Sequence, residues 1–429
     1  MSKTLFKNAR IIDPATDADM RGDVLVEDEK IAAIGAKAAP AKISAEIDVV
    51  ECNGLVLSPG LVDMRVVTGE PGAEHKETLG SASRSAAVGG VTSFVVMPDT
   101  HPVIDEATLV DFIKRRGRAR GDVHIIPAGA LTKGLEGKHM SELGLMKNAG
   151  AFLFTNGGRP ITDARVMRRV MTYARGFDLL VMHRAEDPSL GQGVMNESDL
   201  SARLGLAGIP AEAETIMLQR DLALAALTGV RYVMDMASSA HSVDLLRAAR
   251  QAGQTVGGTV SINHLLLNEN DVGDYRTFAK LSPPLRGESD RQALVRAVAE
   301  GVIEYVVSGH IPQPAEDKRL PFSEAAFGSS GLEALLPGLL TLVQTEDLTL
   351  MQALRSVTSA PADLLGLWQG RLAIGAPADI ILINPDRPFV FDADTMLSRS
   401  KNSALDGRRL QGRAELTMVS GKIVHRAAA

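Results

Sequence analysis

Five ionisable side chains lie at the ends of apolar, strand-like runs: Asp63, Arg65, Asp99, His183 and Asp235. A parallel barrel would gather them at one site, because the carboxyl ends of its strands all face the same side. Imidazole and carboxylate groups bind divalent cations, so His183, Asp235 and Asp63 are the candidates for a weak mononuclear metal site. The alternative is that His183 is a hydrogen-bonded interior histidine, which is the commoner role of a single imidazole.

The elements that would position these residues alternate between strand and helix in the middle of the chain. Eight apolar runs resemble strands, with amphipathic helical stretches between them, as in a parallel (β/α)8 barrel of the TIM type. A doubly wound open sheet is the alternative, but it would not bring every strand end to one site. The eight runs are residues 61–64, 92–96, 124–128, 151–154, 179–183, 231–236, 255–260 and 305–308.

Both ends of the chain have short β-rich segments separated by turn signals, which predicts that the termini meet in one small β-sandwich domain. At the C-terminal end the predicted strands cover residues 378–384, 389–391, 415–419 and 422–425, with a turn at Ser420 and Gly421. We therefore expect residues 1–57 and 368–429 to form the sandwich and residues 58–367 to form the barrel.

Composition excludes several classes of function. The 429 residues carry a net charge of −6, which provides no basic field for nucleic acid or an anionic membrane. The single cysteine excludes an intrachain disulfide and a thiolate metal cluster, and it fits a reducing cytoplasm. The N-terminus has no signal-peptide pattern, and no apolar run approaches the length of a membrane span. We expect a cytoplasmic protein without nucleic-acid or membrane partners.

Eight collinear segments together resemble bacterial dihydroorotases of the amidohydrolase superfamily. One such match would be weak, but eight in family order across nearly the whole chain are specific. The resemblance implies the barrel and the β-sandwich, and a place in de novo pyrimidine (UMP) biosynthesis. The segments are SPGLVD at 58–63, EPG at 70–72, MPDTHP at 97–102, GIPAEAE at 208–214, HLLL at 264–267, KLSPPLR at 280–286, FGSSGLE at 327–333 and GAPAD at 375–379.

The resemblance also implies a zinc site that this sequence does not carry. Dihydroorotases open or close a cyclic amide; zinc polarises the carbonyl and activates water, and an aspartate accepts the proton. After the first barrel strand the family has His-x-His, followed two residues later by an arginine for the substrate carboxylate. Arg65, Val67 and Gly69 stand at these positions. None of the three side chains can do the corresponding task.

Other family positions differ in the same way. The family's Phe-Thr-Asp-Asp-Gly is FTNGG at 154–158, which places Asn156 and Gly157 where the carboxylates belong. His183 is retained within the pattern His-x-x-Glu-Asp. Asp235 replaces the next histidine ligand. The catalytic aspartate, the last histidine of Thr-Asp-His-Ala-Pro-His and the asparagine of Met-Pro-Asn-Thr are replaced by Gly309, Gln313 and Asp99, respectively.

Arg65 therefore has an expected role of its own. Buried carboxylates left without a cation are strongly destabilising, so we expect the Arg65 guanidinium to pair with Asp235 or Asp99 in the former metal site. His264 and His310 are interpreted as structural histidines. We identify no catalytic or cofactor-binding residues, and we expect no metal or other cofactor.

The resemblance leads to a non-catalytic function. Inert dihydroorotase homologues are partners of aspartate carbamoyltransferase, whose trimers they hold in a larger complex. We therefore expect a hetero-oligomer with the catalytic chain of that enzyme, and a homodimer is left open. The alternative is an active, metal-dependent dihydroorotase or related cyclic amidohydrolase with an unusual site, which requires zinc. A third hypothesis is a small-molecule sensor that uses the old pocket.

Overall fold

The N-terminal segment forms five strands of a terminal β-domain in the computed structural model, which describes residues 3–41 and 44–427. The long first strand pairs antiparallel with the second, while its other edge takes the fourth and fifth strands in parallel. The strands are β1 (Lys3–Asp13), β2 (Ala18–Glu27), β3 (Lys30–Gly35), β4 (Ile47–Glu51) and β5 (Val56–Pro59).

The middle of the chain contains the parallel strands of a barrel. Neighbouring strands pair in parallel, and Val66 also forms a bridge with His310, so the last strand meets the first. This closure confirms the predicted barrel and excludes the open sheet. The barrel strands are β6 (Leu61–Val66), β7 (Val91–Val96), β8 (His124–Pro127), β9 (Gly129–Ala130), β10 (Leu153–Thr155), β11 (Leu180–His183), β14 (Arg231–Met234), β15 (Val256–Ser261) and β16 (Tyr305–Val307). Two short strands, β12 (Met195–Asn196) and β13 (Gly208–Ile209), pair with each other in a separate sheet.

The helices cover the outside of the barrel, and several begin at side-chain caps. Thr78 and Ser81 form a reciprocal capping box at the first helix, and Asp163 accepts two backbone N–H groups at the fourth. The helices are α1 (Leu79–Val88), α2 (Ala107–Arg120), α3 (Leu143–Ala149), α4 (Ala164–Gly176), α5 (Asp199–Leu204), α6 (Glu212–Thr228), α7 (Ala240–Gln251), α8 (Ile262–Leu266), α9 (Glu288–Ala299), α10 (Ala315–Lys318), α11 (Leu335–Gln344), α12 (Leu350–Arg355) and α13 (Ser359–Leu365).

The C-terminal segment returns to the terminal β-domain. Its strands are β17 (Ile380–Val390), β18 (Arg409–Val419) and β19 (Lys422–Arg426). They extend the N-terminal strands into one eight-stranded sheet in the order β19-β18-β17-β5-β1-β2-β3, with β4 beside β1. The prediction of separate strands at 378–384 and 389–391 was wrong. One long strand, β17, contains both Pro385 and Pro388, because its pairing with β18 shifts register between Asn384 and Pro388.

Alternating side chains on the terminal sheet serve two cores. Ile380 and Leu382 pack inside the β-domain, whereas Ile381 and Ile383 pack against the barrel, as the period of two in a strand requires. The sheet therefore anchors the barrel from the side, while the candidate residues lie at the barrel's strand ends. Among the described residues, no helix combines the length and the apolar character needed to cross a bilayer.

Candidate functional site at the barrel mouth

The carboxyl ends of the barrel strands bring the candidate residues to one side of the molecule. Asp63 and Arg65 lie on β6, His183 ends β11, and Asp235 follows β14. These four residues are buried, and Asp99, which follows β7, is partly buried. The predicted gathering of charged groups at the strand ends is thus present. The hydrogen bonds decide what each group can do there.

Arg65 and Asp235 form a buried ion pair across the barrel. The Arg65 Nε atom donates to both carboxylate oxygens of Asp235 at 2.9 Å. The two side chains are 3% and 0% exposed. One of the two pairings predicted for Arg65 is therefore confirmed. The guanidinium supplies the positive charge that a buried carboxylate needs at this position.

Asp99 was the other predicted partner, and it forms no hydrogen bond with Arg65 among the described residues. Its Oδ1 atom accepts the backbone N–H of Gly158 at 3.2 Å, while Oδ2 is buried without a partner there. Burial raises the pKa of Asp99, and the nearby charge of Arg65 opposes that rise. A side chain added at Gly157 would overlap both carboxylate oxygens of Asp99. The Asp99 carboxylate therefore occupies the space that a side chain at Gly157 would need.

His183 is committed to hydrogen bonds through both ring nitrogens. Nδ1 lies 2.7 Å from Oδ2 of Asp221, and Nε2 accepts the backbone N–H of Ile161 at 2.8 Å. A carboxylate on Nδ1 fixes the proton there, which leaves Nε2 as the acceptor. The lone pair that would bind a metal is thus already used. The structure supports the interior-histidine interpretation of His183.

Asp221 is a site residue that the sequence reasoning missed. Its carboxylate also accepts hydrogen bonds from the hydroxyl of Tyr232 at 3.0 Å and from Arg220. Burial acts to raise the pKa of Asp221, but His183 and Arg220 outweigh it and hold the pKa below the ordinary value. The sequence of α6 offered a clue, because Asp221 lies three residues after the apolar Leu218 and therefore on the same, buried face of the helix.

Asp63 accepts two backbone N–H groups, one from its own strand β6 and one from the end of the last barrel strand. These come from Arg65 at 3.1 Å and from Ser308 at 3.3 Å. Burial raises the pKa of Asp63 to about 6. The carboxylate therefore contributes to barrel closure, and it is turned to backbone donors instead of an open coordination position.

The glycines at two functional positions leave no room for the family's side chains. A Cβ atom at Gly69 would overlap the carbonyl oxygen of Ala73. At Gly309 the backbone has φ +61°, and a Cβ atom would overlap the hydroxyl of Ser261. A substrate-binding arginine at position 69 would require backbone movement, and an aspartate at position 309 would require Ser261 to move and a left-handed backbone conformation that favours glycine.

Val67, Asn156 and Gln313 have structural contacts. The N–H of Val67 donates to the carbonyl of His310 at 2.9 Å. The Asn156 side chain accepts from the Thr132 hydroxyl at 2.7 Å and donates to two loop carbonyls. The Gln313 amide accepts from Lys76 at 3.0 Å and donates to a backbone carbonyl. These three positions support loops around the barrel mouth.

The two remaining histidines near the strand ends are also held by structural contacts, as predicted. His310 accepts the N–H of Gly331 on Nδ1 at 3.1 Å, and its Nε2 lies 3.5 Å from Glu77. His264 lies 3.1 Å from the carbonyl oxygen of Pro283 through Nε2, and burial lowers its pKa to about 4. Each imidazole ring therefore contacts protein groups of its own, and the two rings do not share a partner.

The side chains at the barrel mouth do not fit the zinc ion that the resemblance implies. Zinc sites use three or four converging nitrogen, sulfur or oxygen donors. No group of three histidine, cysteine, aspartate or glutamate side chains is arranged to hold a metal within residues 3–41 and 44–427. His183, Asp235 and Asp63, the metal candidates, each have other partners. No hydrolytic step through a metal can be derived from this donor set.

Comparison with known proteins agrees with this architecture. A Dihydro-orotase-like family model matches residues 54–242, and an Amidohydrolase family model matches residues 336–425. The chain is 41% identical over 421 residues to a dihydroorotase of Desulforapulum autotrophicum, covering 98% of both chains. It is 39% identical over 424 residues to a dihydroorotase of Syntrophus aciditrophicus, covering 99% of both.

Solved structures of related barrels superimpose on nearly the whole molecule. The L-hydantoinase (dihydropyrimidinase) of Arthrobacter aurescens has a TM-score of 0.90 and 26% identity, covering 100% of this chain and 97% of that one. The dihydropyrimidinase of Brevibacillus agri has a TM-score of 0.86 and 21% identity, covering 99% and 95%. The second likeness concerns the fold alone, whereas the curated relatives identify the family. The chain therefore belongs to the dihydroorotase family of the amidohydrolase superfamily.

Proposed function

We propose that this chain is a non-catalytic dihydroorotase homologue of pyrimidine biosynthesis, in which an internal ion pair has replaced the metal. The observation that carries the proposal is the contact between Arg65 and Asp235, which occupies two of the family's ligand positions with a guanidinium and a carboxylate that pair with each other. A zinc ion entering here would meet a guanidinium, which repels it and has no lone pair to donate. We also propose that the protein is cytoplasmic and binds no metal.

The chemistry of amide hydrolysis explains why the remaining groups do not suffice. Water must be deprotonated and the carbonyl polarised, and zinc supplies both effects in this family. The His183 lone pair is engaged by Ile161, and the position of the catalytic aspartate is Gly309. An anionic substrate would also meet Asp99 in place of the family's asparagine, and Gly69 in place of the arginine clamp. Turnover of dihydroorotate is therefore expected to be absent.

The role proposed for the chain is assembly with the catalytic chain of aspartate carbamoyltransferase. A barrel that has lost its activity but kept its fold and surface can still bind aspartate carbamoyltransferase, whose reaction is next to that of dihydroorotase in the pathway. The curated relatives named dihydroorotase place the family in pyrimidine synthesis, which supports this choice of partner. The expected complex is a hetero-oligomer.

Two experiments test the proposal, the first of metal content and activity and the second of assembly. Zinc content by mass spectrometry and turnover of dihydroorotate and carbamoyl-aspartate are measured on purified protein, alongside a catalytic dihydroorotase as the positive control. We expect neither stoichiometric zinc nor turnover. Stoichiometric zinc with turnover would overturn the non-catalytic assignment in favour of an active dihydroorotase with an unusual site.

The second experiment is sedimentation of aspartate carbamoyltransferase with and without this chain. We expect a larger particle that contains both proteins, together with higher recovery or activity of the transferase. Failure of the two proteins to associate at any salt concentration would refute the assembly role. The zinc and turnover results would then still decide whether the chain is an enzyme.

A further inference from the structure

A basic and aromatic surface on α3 and α4 has no use in the fold described above. We define the α4 patch as three arginines, Arg165, Arg168 and Arg169, together with the apolar side chains Leu145, Tyr173 and Phe177. The three apolar residues are 55%, 36% and 44% exposed, respectively. Large apolar side chains exposed side by side on a helix pair are a feature of binding surfaces.

Helices α3 and α4 meet at the aromatic part of the patch. The rings of Tyr173 and Phe177 lie 4.8 Å apart between centroids, and Gly144 of α3 lies directly against both. The Lys147 ammonium donates to the carbonyl of Phe177 at 2.6 Å, which fixes α3 on the end of α4. A cavity of about 440 Å³ beside Tyr173 is lined by Met140 and the three arginines. The apolar and basic parts therefore adjoin.

The charge of the patch contrasts with that of the whole chain. Helix α4 has four arginines and no acidic residue, although the protein carries a net charge of −6. Arg165 lies 3.7 Å from Asp163, whereas Arg168 and Arg169 have no ion-pair partner among the described residues. Arg165 also lies in the first turn, where the helix dipole disfavours positive charge. Helix stability does not account for this arrangement.

The arginines are not needed for packing either. The buried face of α4 consists of Met167, Val170, Met171 and Ala174, which lie on the side opposite the patch. Arg168 and Arg169 are exposed. Charge reversal at these two positions should therefore leave the fold intact.

We infer that the α4 patch is the docking surface for an acidic protein partner that offers carboxylates around an apolar centre. A second copy of this chain is the less favourable occupant, because a two-fold axis through the arginines would bring those of the two copies close together. Tyrosine and arginine are also the residues that carry most energy at protein interfaces. This inference rests on the proposed function, which supplies the partner: the catalytic trimer of aspartate carbamoyltransferase.

The test measures binding of the purified transferase trimer to the full-length chain by biolayer interferometry. Binding is measured at low salt and at about 0.15 M salt, where screening shortens charge interactions to about 8 Å. We expect R168E/R169E to weaken binding at low salt by about tenfold or more and to remove most of its salt dependence. R168K/R169K should retain most of the binding, and L145S should weaken it without changing its salt dependence.

The matched control is R203E/R296E, which reverses two exposed arginines on α5 and α9, away from the patch. Its net charge equals that of R168E/R169E, so a general charge effect would weaken both variants alike and overturn the inference. If the wild type binds the transferase and R168E/R169E binds equally well, the patch is refuted while the assembly role stands. If the wild type does not bind at all, the proposed function itself fails.

Two other occupants give different results. Light scattering that shows a wild-type homodimer and an R168E/R169E monomer would assign the patch to self-association and overturn the inference. Binding of single-stranded RNA that depends on the same arginines, in the absence of transferase binding, would assign it to nucleic acid and overturn it as well. Tyr173 and Phe177 stay unchanged in these variants, so the outcome reports on charge.

Discussion

Replacing Arg65 with methionine removes the positive charge of the buried ion pair and leaves the Asp235 carboxylate alone. Both Asp235 oxygens lie 2.9 Å from the Arg65 Nε atom, with side chains 3% and 0% exposed. Opposite charges about 4 Å apart attract by about 4 kcal/mol at an effective dielectric constant of about 20. Removing one partner of such a pair costs about 3–5 kcal/mol. We therefore expect R65M to lower the free energy of unfolding by that amount.

The assay is urea unfolding followed by circular dichroism, with D235L and R65M/D235L completing a double-mutant cycle. The double variant has no buried charge at this position, so we expect it to be more stable than R65M. R296M is the control, because Arg296 is exposed and its loss should change stability by about 0.5 kcal/mol or less. The reasoning is refuted if R65M matches the control, or if the effects of R65M and D235L are additive.

Three further predictions concern other buried groups. Burial raises the pKa of Asp63 to about 6, so its contribution to stability is present below the unfolded pKa of about 3.9 and is lost as the pH rises through about 6. In urea unfolding between pH 4 and 7, the wild type should lose about 2 kcal/mol of stability that D63N does not lose. Identical pH profiles of the two proteins would contradict this. G157A should cost more than about 1 kcal/mol, because residue 157 has φ +58° and an added methyl group overlaps Asp99. The cost should be smaller in a D99A background, and equal costs in urea unfolding would contradict the overlap. Burial raises the pKa of the Cys52 thiol to about 12, so a disulfide reagent at pH 8 should label this residue only after unfolding, and rapid labelling of native protein would contradict it.

Much of the fold followed from local pattern. Alternating apolar runs and amphipathic helices predicted the barrel, and turn-separated β segments at both ends predicted that the termini meet in one small β-sandwich domain. These features are local because side-chain period and turn chemistry act within a few residues. The passage of β17 through Pro388 was missed, since proline ordinarily interrupts a strand and only pairing with β18 accommodates it here.

The candidate site was only partly predictable. The residue types at 65, 67 and 157 predicted the loss of zinc ligands, and those at 69 and 309 predicted the loss of the substrate-binding arginine and of the catalytic base. This prediction does not depend on the fold, because the side chains of arginine, valine and glycine have no lone pair that could bind a metal ion. The cost of burying an uncompensated carboxylate predicted that Arg65 would pair with Asp235 or Asp99, and the structure shows Asp235 as the partner.

Other contacts were decided by tertiary structure alone. His183 reaches Asp221 and the backbone of Ile161, and Asp99 occupies the space beside Gly157. These groups are far apart in the chain, and they meet only after the strands have closed into a barrel. Sequence determines which atoms can donate, accept or carry charge. Which atoms meet depends on strand register and barrel closure, because hydrogen bonds act only within about 3 Å.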